Sequence, residues 1–338
     1  MTEPDIPADP FAERSRIQRR HLRVLGARFE FASASVELLR EVESAYAGLP
    51  THTWGRRQLQ CTVNLALTPG IAASRTGSEP RAPKLFSAAD GTLCAVADES
   101  TFVTVSPANR AAIIAVAPRL LGFPYHLRHE LIDLAVYLLV ARCRELIPLH
   151  SACFSVQGRG ILLTGASGAG KSTLALQWLA EGLDFVSEDS VLADPRTLHA
   201  TGLANFLHLR ADSLRFLGHA PLRDAILASP VIRRRSGVKK YEVDLRRLGC
   251  RIAARPPRIR AVVFASPQPA PAGRLLTALP HREVMARLRS SQPYALRQRG
   301  WAPFARSLTG IDAYELRRGR HPTEAIAALR DMLAKRGS

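Results

Sequence analysis

The chain has 338 residues, 46% hydrophobic and 22% charged, a length for two ordinary domains and a composition close to the soluble globular average. Those values exclude a wholly disordered chain, a collagen-like repeat and a small disulfide scaffold. Basic residues outnumber acidic ones, 47 to 29, for a formal charge of +18, and only Lys84, Lys171, Lys239, Lys240 and Lys335 among them are lysines; a GC-rich coding bias and an acidic partner (nucleotide phosphate, acidic peptide or nucleic acid) both produce such a balance.

Residues 1–22 read as a mobile arm that turns from acidic to basic and is too polar for a signal peptide. Residues 28–31 (RFEF) suggest a short strand, and 36–46 a helix with Val36, Leu39, Val42 and Tyr46 on one face. Strict alternation over 59–67 predicts a half-buried strand. After a polar loop over 70–83, Asp90-Gly91 reads as a hairpin turn and 101–105 as a later strand. Residues 124–146 predict the longest helix, with Leu127, Leu131, Leu134, Leu138 and Leu139 on a broad apolar face. Its most apolar run, 131–140, is far shorter than the roughly 20 residues of a membrane span. Residues 23–145 thus read as an N-terminal α+β accessory domain, with no zinc or nucleic-acid motif. The five cysteines (Cys61, Cys94, Cys143, Cys153, Cys250) are scattered without metal-ligand spacing, which fits reduced thiols in the cytoplasm.

Two apolar runs follow, 149–156 and 159–164, separated by a turn at Gln157-Gly158. Then comes Gly165-Ala166-Ser167-Gly168-Ala169-Gly170-Lys171-Ser172, a full match to G-x-x-x-x-G-K-[ST] placed after a strand and before a helix. Gly165, Gly168 and Gly170 let the backbone curl so that its N–H groups face phosphate oxygens, beside the positive end of the helix. The motif predicts a bound nucleotide and Mg²⁺: residues 165–170 and Thr173 around the phosphates, Lys171 on the β- and γ-phosphates, and the Ser172 hydroxyl on the metal. The next strand, LDFVSED, ends in Glu188 and Asp189 at the carboxyl edge where α/β sheets bind ligands. Adjacent strand residues face opposite ways, so one acid can hold the metal while the other takes a proton from an attacking hydroxyl. The strand 261–265 ends in Ser266 and offers no acid; Asp184 reads as a surface residue.

Other positions carry weaker signals. His150, between apolar runs, has the setting of a core histidine, yet pairing of the two runs would bring it toward the phosphate loop. Arg233, Arg234 and Arg235 with Lys239 and Lys240 form the densest basic cluster, either a solvated charge run or a loop that closes on ATP or an acidic substrate. His208 and Arg210 alternate with leucines and predict a polar outer strand face. Trp54, Trp178 and Trp301 are too far apart in sequence to suggest a stacking platform. Residues 322–336 read as a packing helix with Pro in its first turn.

The run LHSACFSVQGRGILLTGASGAGKSTLALQWLAEGLDFVSEDSVL resembles the catalytic core of the HPr kinase/phosphorylase superfamily: histidine, strand, P-loop, helix, and a strand ending in paired acids. The likeness continues through GVKKYEVDL (237–245), similar to a lysine-bearing turn of that superfamily, and through YELRRGRHPTEAIAALRDML, covering about residues 145–335. It looks most like the HPr-kinase-related proteins of ribosomal peptide pathways, including lasso-peptide kinases. The resemblance implies a P-loop kinase core of the HPr kinase / phosphoenolpyruvate carboxykinase type over 146–338, rather than a regular doubly wound sheet. It implies ATP-dependent phosphorylation of a serine hydroxyl, with His150 as active-site histidine and Glu188-Asp189 at the paired aspartates. On this reading Lys171 neutralises the γ-phosphate, Ser172 and Asp189 hold Mg²⁺, and Glu188 with His150 activates a serine of a peptide or protein such as a ribosomal peptide precursor. The family has Asp where Glu188 stands, its glycine-rich signature loop after the acid pair is missing, and the N-terminal half is unlike its N-terminal domain. Two alternatives stay open: a small-molecule kinase, for example of free serine, and a nucleotide-gated binding protein with little turnover. Homo-oligomerisation is open too; neither a membrane nor a nucleic acid is an expected partner.

Overall fold

The computed structural model describes residues 16–53, 58–68 and 79–334. Most of the expected arm, Trp54, most of the 70–83 loop and the end of the C-terminal helix lie outside the described residues. The basic end of the arm is a strand instead: β1 (Gln18–Val24) turns through Leu25-Gly26 and pairs antiparallel with β2 (Ala27–Ser33). Arg19, His21 and Arg23 face solvent while Leu22 and Val24 turn inward, and half-buried Arg20 on the inward side pairs with Glu43. Helix α1 (Val36–Tyr46) follows, capped by the Ser35 hydroxyl, which accepts from the Leu38 N–H. It buries Leu38, Leu39, Val42, Ala45 and Tyr46; Val36, expected on that face, is only half-buried. With β3 (Leu59–Leu67), β4 (Lys84–Ser87), β5 (Leu93–Asp98), β6 (Thr101–Ser106) and β7 (Ala111–Val116), these strands make a seven-stranded sheet ordered β1-β2-β3-β7-β6-β5-β4.

The long helix is compound: Pro124–His126, a π-helical segment over Leu127–Ile132, and α2 (Asp133–Cys143). It ends before the expected residue 146 because Glu145 turns left-handed (φ 52°) and the Leu146 N–H bonds back to the Ala141 carbonyl at 2.9 Å. Leu127, Leu131, Leu138 and Leu139 pack with α1 and the sheet into one apolar core.

The chain then passes through β8 (Ile147–Leu149), β9 (Ala152–Val156), β10 (Arg159–Thr164), α3 (Lys171–Ala180), β11 (Asp184–Ser187), β12 (Val191–Ala193), β13 (Ala200–Gly202), β14 (Phe206–Leu209), β15 (Val231–Arg233), β16 (Lys239–Asp244), β17 (Arg258–Pro269), β18 (Leu276–Ala278), α4 (His281–Ser291), β19 (Asp312–Arg318) and α5 (Pro322–Ala334). The central sheet is ordered β11-β9-β10-β17-β19-β18, with β10, β17 and β19 parallel to one another. Ile161, Leu163 and Val263 point to a core shared with Trp178 of α3 and Leu329 of α5, while Leu162, Val262 and Phe264 point to a second core with Leu288 of α4. Burial on both faces explains the unbroken apolar runs. The run 149–156 is not one strand: β8 pairs with β12 in a separate three-stranded sheet, β9 joins the central one, and the chain crosses between them at His150-Ser151. Gln157 and Gly158, both at positive φ, close a two-residue hairpin from β9 to β10. This is an α/β fold in which antiparallel β9 separates the P-loop strand from the acid-bearing strand, not a doubly wound parallel sheet.

Candidate active site

Residues 165–172 leave the end of β10 and enter α3. Gly168 and Gly170 take φ of 84° and 95°, values that strain any residue with a β-carbon. A β-carbon at Gly165 would stand 2.8 Å from the Ala265 carbonyl of β17, so this position needs glycine for close approach. No side chain caps the N-terminus of α3, and its leading N–H groups remain available to an anion. The loop holds itself together: the Ala169 N–H bonds the Ala166 carbonyl at 3.1 Å, and Lys171 Nζ donates to the Gly165 carbonyl at 2.6 Å and the Ala166 carbonyl at 3.3 Å. Burial draws the Lys171 pKa below the usual lysine value against the opposing pull of Asp189 and Glu188, and Lys240 adds to the lowering. The Thr173 hydroxyl bonds Ser213 at 2.9 Å, which leaves its backbone rather than its side chain for a phosphate.

Strand β11 carries a register shift between Phe185 and Ser187, directly before the acid pair; such bulges re-aim side chains. Glu188 is buried, one carboxylate oxygen accepting from the Ser172 hydroxyl and the other from the His208 backbone N–H at 2.9 Å. The carboxylate touching Ser172 is therefore that of Glu188, whereas Asp189 was the expected partner. Asp189 lies beyond, bonded by the Ser190 hydroxyl at 3.0 Å and 3.9 Å from Arg234. Burial would raise the Asp189 pKa, but His129, His208, Arg234 and His150 outweigh it and bring it to about 2. Ser172 and Glu188 supply hard oxygen donors beside the phosphate loop. Among the described residues no group of three or more His, Cys, Asp or Glu could hold a metal alone. That donor set fits Mg²⁺, which takes one or two protein oxygens and completes its shell with phosphate and water.

His150 is exposed at the crossing between sheets, not within a strand or a core, and lines the same cleft as the P-loop. Buried Gln292 fixes it there: its carbonyl accepts the His150 N–H at 2.8 Å and its amide donates to the His150 carbonyl at 3.1 Å. The basic cluster is the hairpin β15–β16, whose Arg234 and Lys240 overhang this cleft while Arg235 pairs with Glu130. Lys171, Arg210, Arg215, Arg234, Lys240 and Arg318 all line the cleft, which holds about 310 Å³. Six cations against Glu188, Asp189 and Asp212 suit a polyphosphate.

His208 corrects the sequence reading. It is buried rather than on an outer face, 3.8 Å from Glu188 and 3.6 Å from Glu242, because the two buried carboxylates need a polar partner between them. On its far side opens a cavity of about 580 Å³, walled by Tyr125, Arg128, His129 and Asp133 of the compound helix and by Asn205, Phe206 and Glu242. Glu188, Asp189 and Arg234 line both this cavity and the phosphate cleft. Asp189 stands where the two meet. The π-helical turn that carries Arg128 and His129 is a rare form that occurs frequently at functional sites. His129 is held by Asp133 at 3.7 Å; burial would lower its pKa, but Asp133 and Asp189 raise it above the ordinary histidine value. Sequence reading saw only the apolar face of this helix. The i, i+4 pair His129–Asp133 was the available signal.

No protein-family model matches the chain. It is 39% identical over 62 residues, 18% of its own length and 20% of the relative's, to the HPr kinase/phosphorylase of Bordetella petrii. It is 33% identical over 100 residues, 30% of this chain and 26% of the relative, to the HPr kinase/phosphorylase of Aromatoleum aromaticum. The chain thus spans only about a fifth to a quarter of the curated relatives it matches. A solved structure of the HPr(Ser) kinase/phosphatase from Coxiella burnetii aligns with 56% of this chain and 99% of its own, at 12% identity and a TM-score of 0.30. At that score the likeness is too loose to bear on the fold.

Proposed function

We propose that this HPr-kinase-like chain is an ATP-dependent phosphotransferase that moves the γ-phosphoryl group to a serine hydroxyl of a peptide or protein. The observation that carries the reading is Asp189 at the junction between a cation-lined phosphate cleft and a second cavity large enough for a substrate group. Mg²⁺, when bound, supplies charge neutralisation at the phosphates; Ser172 and Glu188 hold it. Lys171 and Arg234 face the transferring group and offset the negative charge that it spreads in the transition state. Asp189, kept ionised by its cationic neighbours, takes the proton of the acceptor hydroxyl as the O–P bond forms and ADP departs. Metal and base are thus assigned to Glu188 and Asp189 respectively, the reverse of the roles expected on the family resemblance. His150, fixed by Gln292, stands beside the phosphate loop as a further donor. The five free thiols suit a reducing compartment such as the cytoplasm; among the described residues no helix is long and apolar enough to cross a membrane.

A second reading, a small hydroxylated molecule as acceptor, is favoured by the cavity's size, about 580 Å³ between walls that come from both halves of the chain. Transfer from γ-labelled ATP to lysate proteins, serine peptides and free serine separates the two. Label on a discrete acceptor, absent with Lys171→Ala, is the expected result; nucleotide bound with no label moved to any of them would overturn the proposal.

A further inference from the structure

The P-loop contacts phosphates and leaves the rest of a nucleotide unaccounted for. Past its tip, on the side away from Asp189, lies a second pocket of about 320 Å³ that shares Gly168, Gly170, Thr173, Arg215, Phe216 and Arg318 with the phosphate cleft. Its remaining walls add His321, Pro322, Ala265 and Leu316, beside the cations Arg317 and Arg320. Two rings line it. Phe216 and His321 meet edge to face with centroids 5.6 Å apart, and the Arg215 guanidinium covers Phe216 at 4.6 Å from its centroid.

Each ring is set by the secondary structure that frames the P-loop. Gln177 of α3, itself buried, donates to the Phe216 carbonyl at 2.7 Å, and the Thr173–Ser213 bond ties the same turn to the first turn of α3. His321 is set by α5: its Nδ1 lies 2.7 Å from the Thr323 hydroxyl and accepts the Thr323 N–H at 3.3 Å. The Arg320 N–H bonds Glu324 at 3.2 Å, and a β-carbon on Gly319 would meet Leu275 at 3.0 Å, so this turn has little room to shift. Both rings are half-buried. A planar heteroaromatic group is the chemistry such a pocket accepts, by stacking and by cation–π contact with Arg215.

We infer that Phe216 and His321 form the base site of the nucleotide, a pocket that takes a purine ring by stacking. The inference rests on the nucleotide reading above and adds to it the part of the ligand that the P-loop does not read. Because stacking reads the ring's face and not its edge, adenine and guanine nucleotides bind alike, and the smaller pyrimidines bind less well.

The test measures binding of Mg·ATP, Mg·GTP, Mg·CTP and Mg·tripolyphosphate to the full chain and to Phe216→Ala, by calorimetry. Expected for the unaltered chain is ATP and GTP affinity on the order of tenfold or more above that of tripolyphosphate, the scale of one base–aromatic stack. Phe216→Ala should remove most of that advantage and change tripolyphosphate affinity far less, since the ring lines the phosphate cleft too but offers phosphate no hydrogen bond; tripolyphosphate binding then also reports an intact P-loop. His321→Ala should do the same to a smaller degree. An unchanged ratio of ATP to tripolyphosphate affinity in Phe216→Ala, or CTP bound as tightly as ATP, would overturn the base site while leaving the phosphate site standing. Failure of every ligand, tripolyphosphate included, would overturn the nucleotide reading and this inference with it.

Discussion

Glu188 and Asp189 are adjacent in the chain and sit in different surroundings. One is buried against Ser172 and the His208 backbone; the other faces histidines and Arg234 across the mouth of a cavity. The division predicts separable defects. Asp189→Asn should lower transfer by about 10²-fold or more, the scale of a lost general base, with ATP affinity within a few-fold of normal. Glu188→Gln should instead raise the Mg²⁺ concentration needed for nucleotide binding. Titrating Mg²⁺ and measuring kcat for both variants checks this; identical phenotypes would sink the assignment. With its pKa lowered to about 2, the Asp189 carboxylate is ionised throughout the working range. Its share of stability is present above the ordinary carboxylate value of 3.8 and is lost only as pH falls through about 2. Any acid limb of the rate above pH 4 must therefore come from other groups. The glycine-rich turn from strand into helix and the acid pair at the end of the next strand were legible in the sequence because each is a contiguous run. Gln292, which clamps His150 from 142 residues away, and His208, wedged between Glu188 and Glu242, were not. Their roles exist only after the chain has closed long loops.

At the scale of elements, periodicity located the two-layer strands and the helix after the P-loop, since burial on one or both faces leaves a direct trace in spacing. It misread the two places where the chain changes sheet or helical pitch: the crossing at His150-Ser151 and the π-helical segment at Leu127–Ile132. Neither has a period to detect. The acid pair is also held from below by β13. A β-carbon on Gly202 would collide with the Ser187 side chain and come within 2.7 Å of the Ser190 carbonyl, the residues that flank Glu188 and Asp189. Gly202→Ala is expected to cost about 1–3 kcal/mol of stability, as overpacking does, and to reduce transfer through a displaced Glu188. Denaturant unfolding and kcat measured together check it. A variant as stable and active as the parent would mean that this turn is looser than drawn.

Across the whole molecule, the two halves are joined by polar contacts that no local pattern announces. His52 is buried between the Thr201 hydroxyl at 2.7 Å and the Ala253 carbonyl at 2.6 Å; burial draws its pKa down, against the opposing pull of the carbonyl. Arg246 caps the end of α1 through the Ser44 and Ala47 carbonyls, at 2.9 and 2.7 Å. Arg128 joins the halves by two ion pairs, bonding Glu41 of α1 at 2.7 Å and Glu242 of β16 at 2.6 Å with only 8% of its surface exposed. Arg128→Met would strand Glu242 without its main cation, and removing one partner of a buried pair costs about 3–5 kcal/mol. Thermal unfolding of that variant should show the loss; a change below about 1 kcal/mol would mean that His208 suffices to neutralise Glu242. Leu192, from the P-loop half, sits in the core under the seven-stranded sheet, and Leu49 packs against the cores of both halves. The larger cavity is thus bounded by parts that fold against each other.

The hydrogen bonds that Lys171 makes to its own loop have a kinetic consequence. A loop that keeps its curl through Gly165, Ala166 and Ala169 has met its ordering cost at folding, so little of the encounter with a polyphosphate goes to rearranging the backbone. What remains to set the speed of arrival is long-range attraction by the cations around the cleft, and that attraction is screened by dissolved ions. Departure depends instead on short contacts that salt barely reaches. Rising ionic strength should therefore slow capture of the nucleotide while its residence time hardly changes.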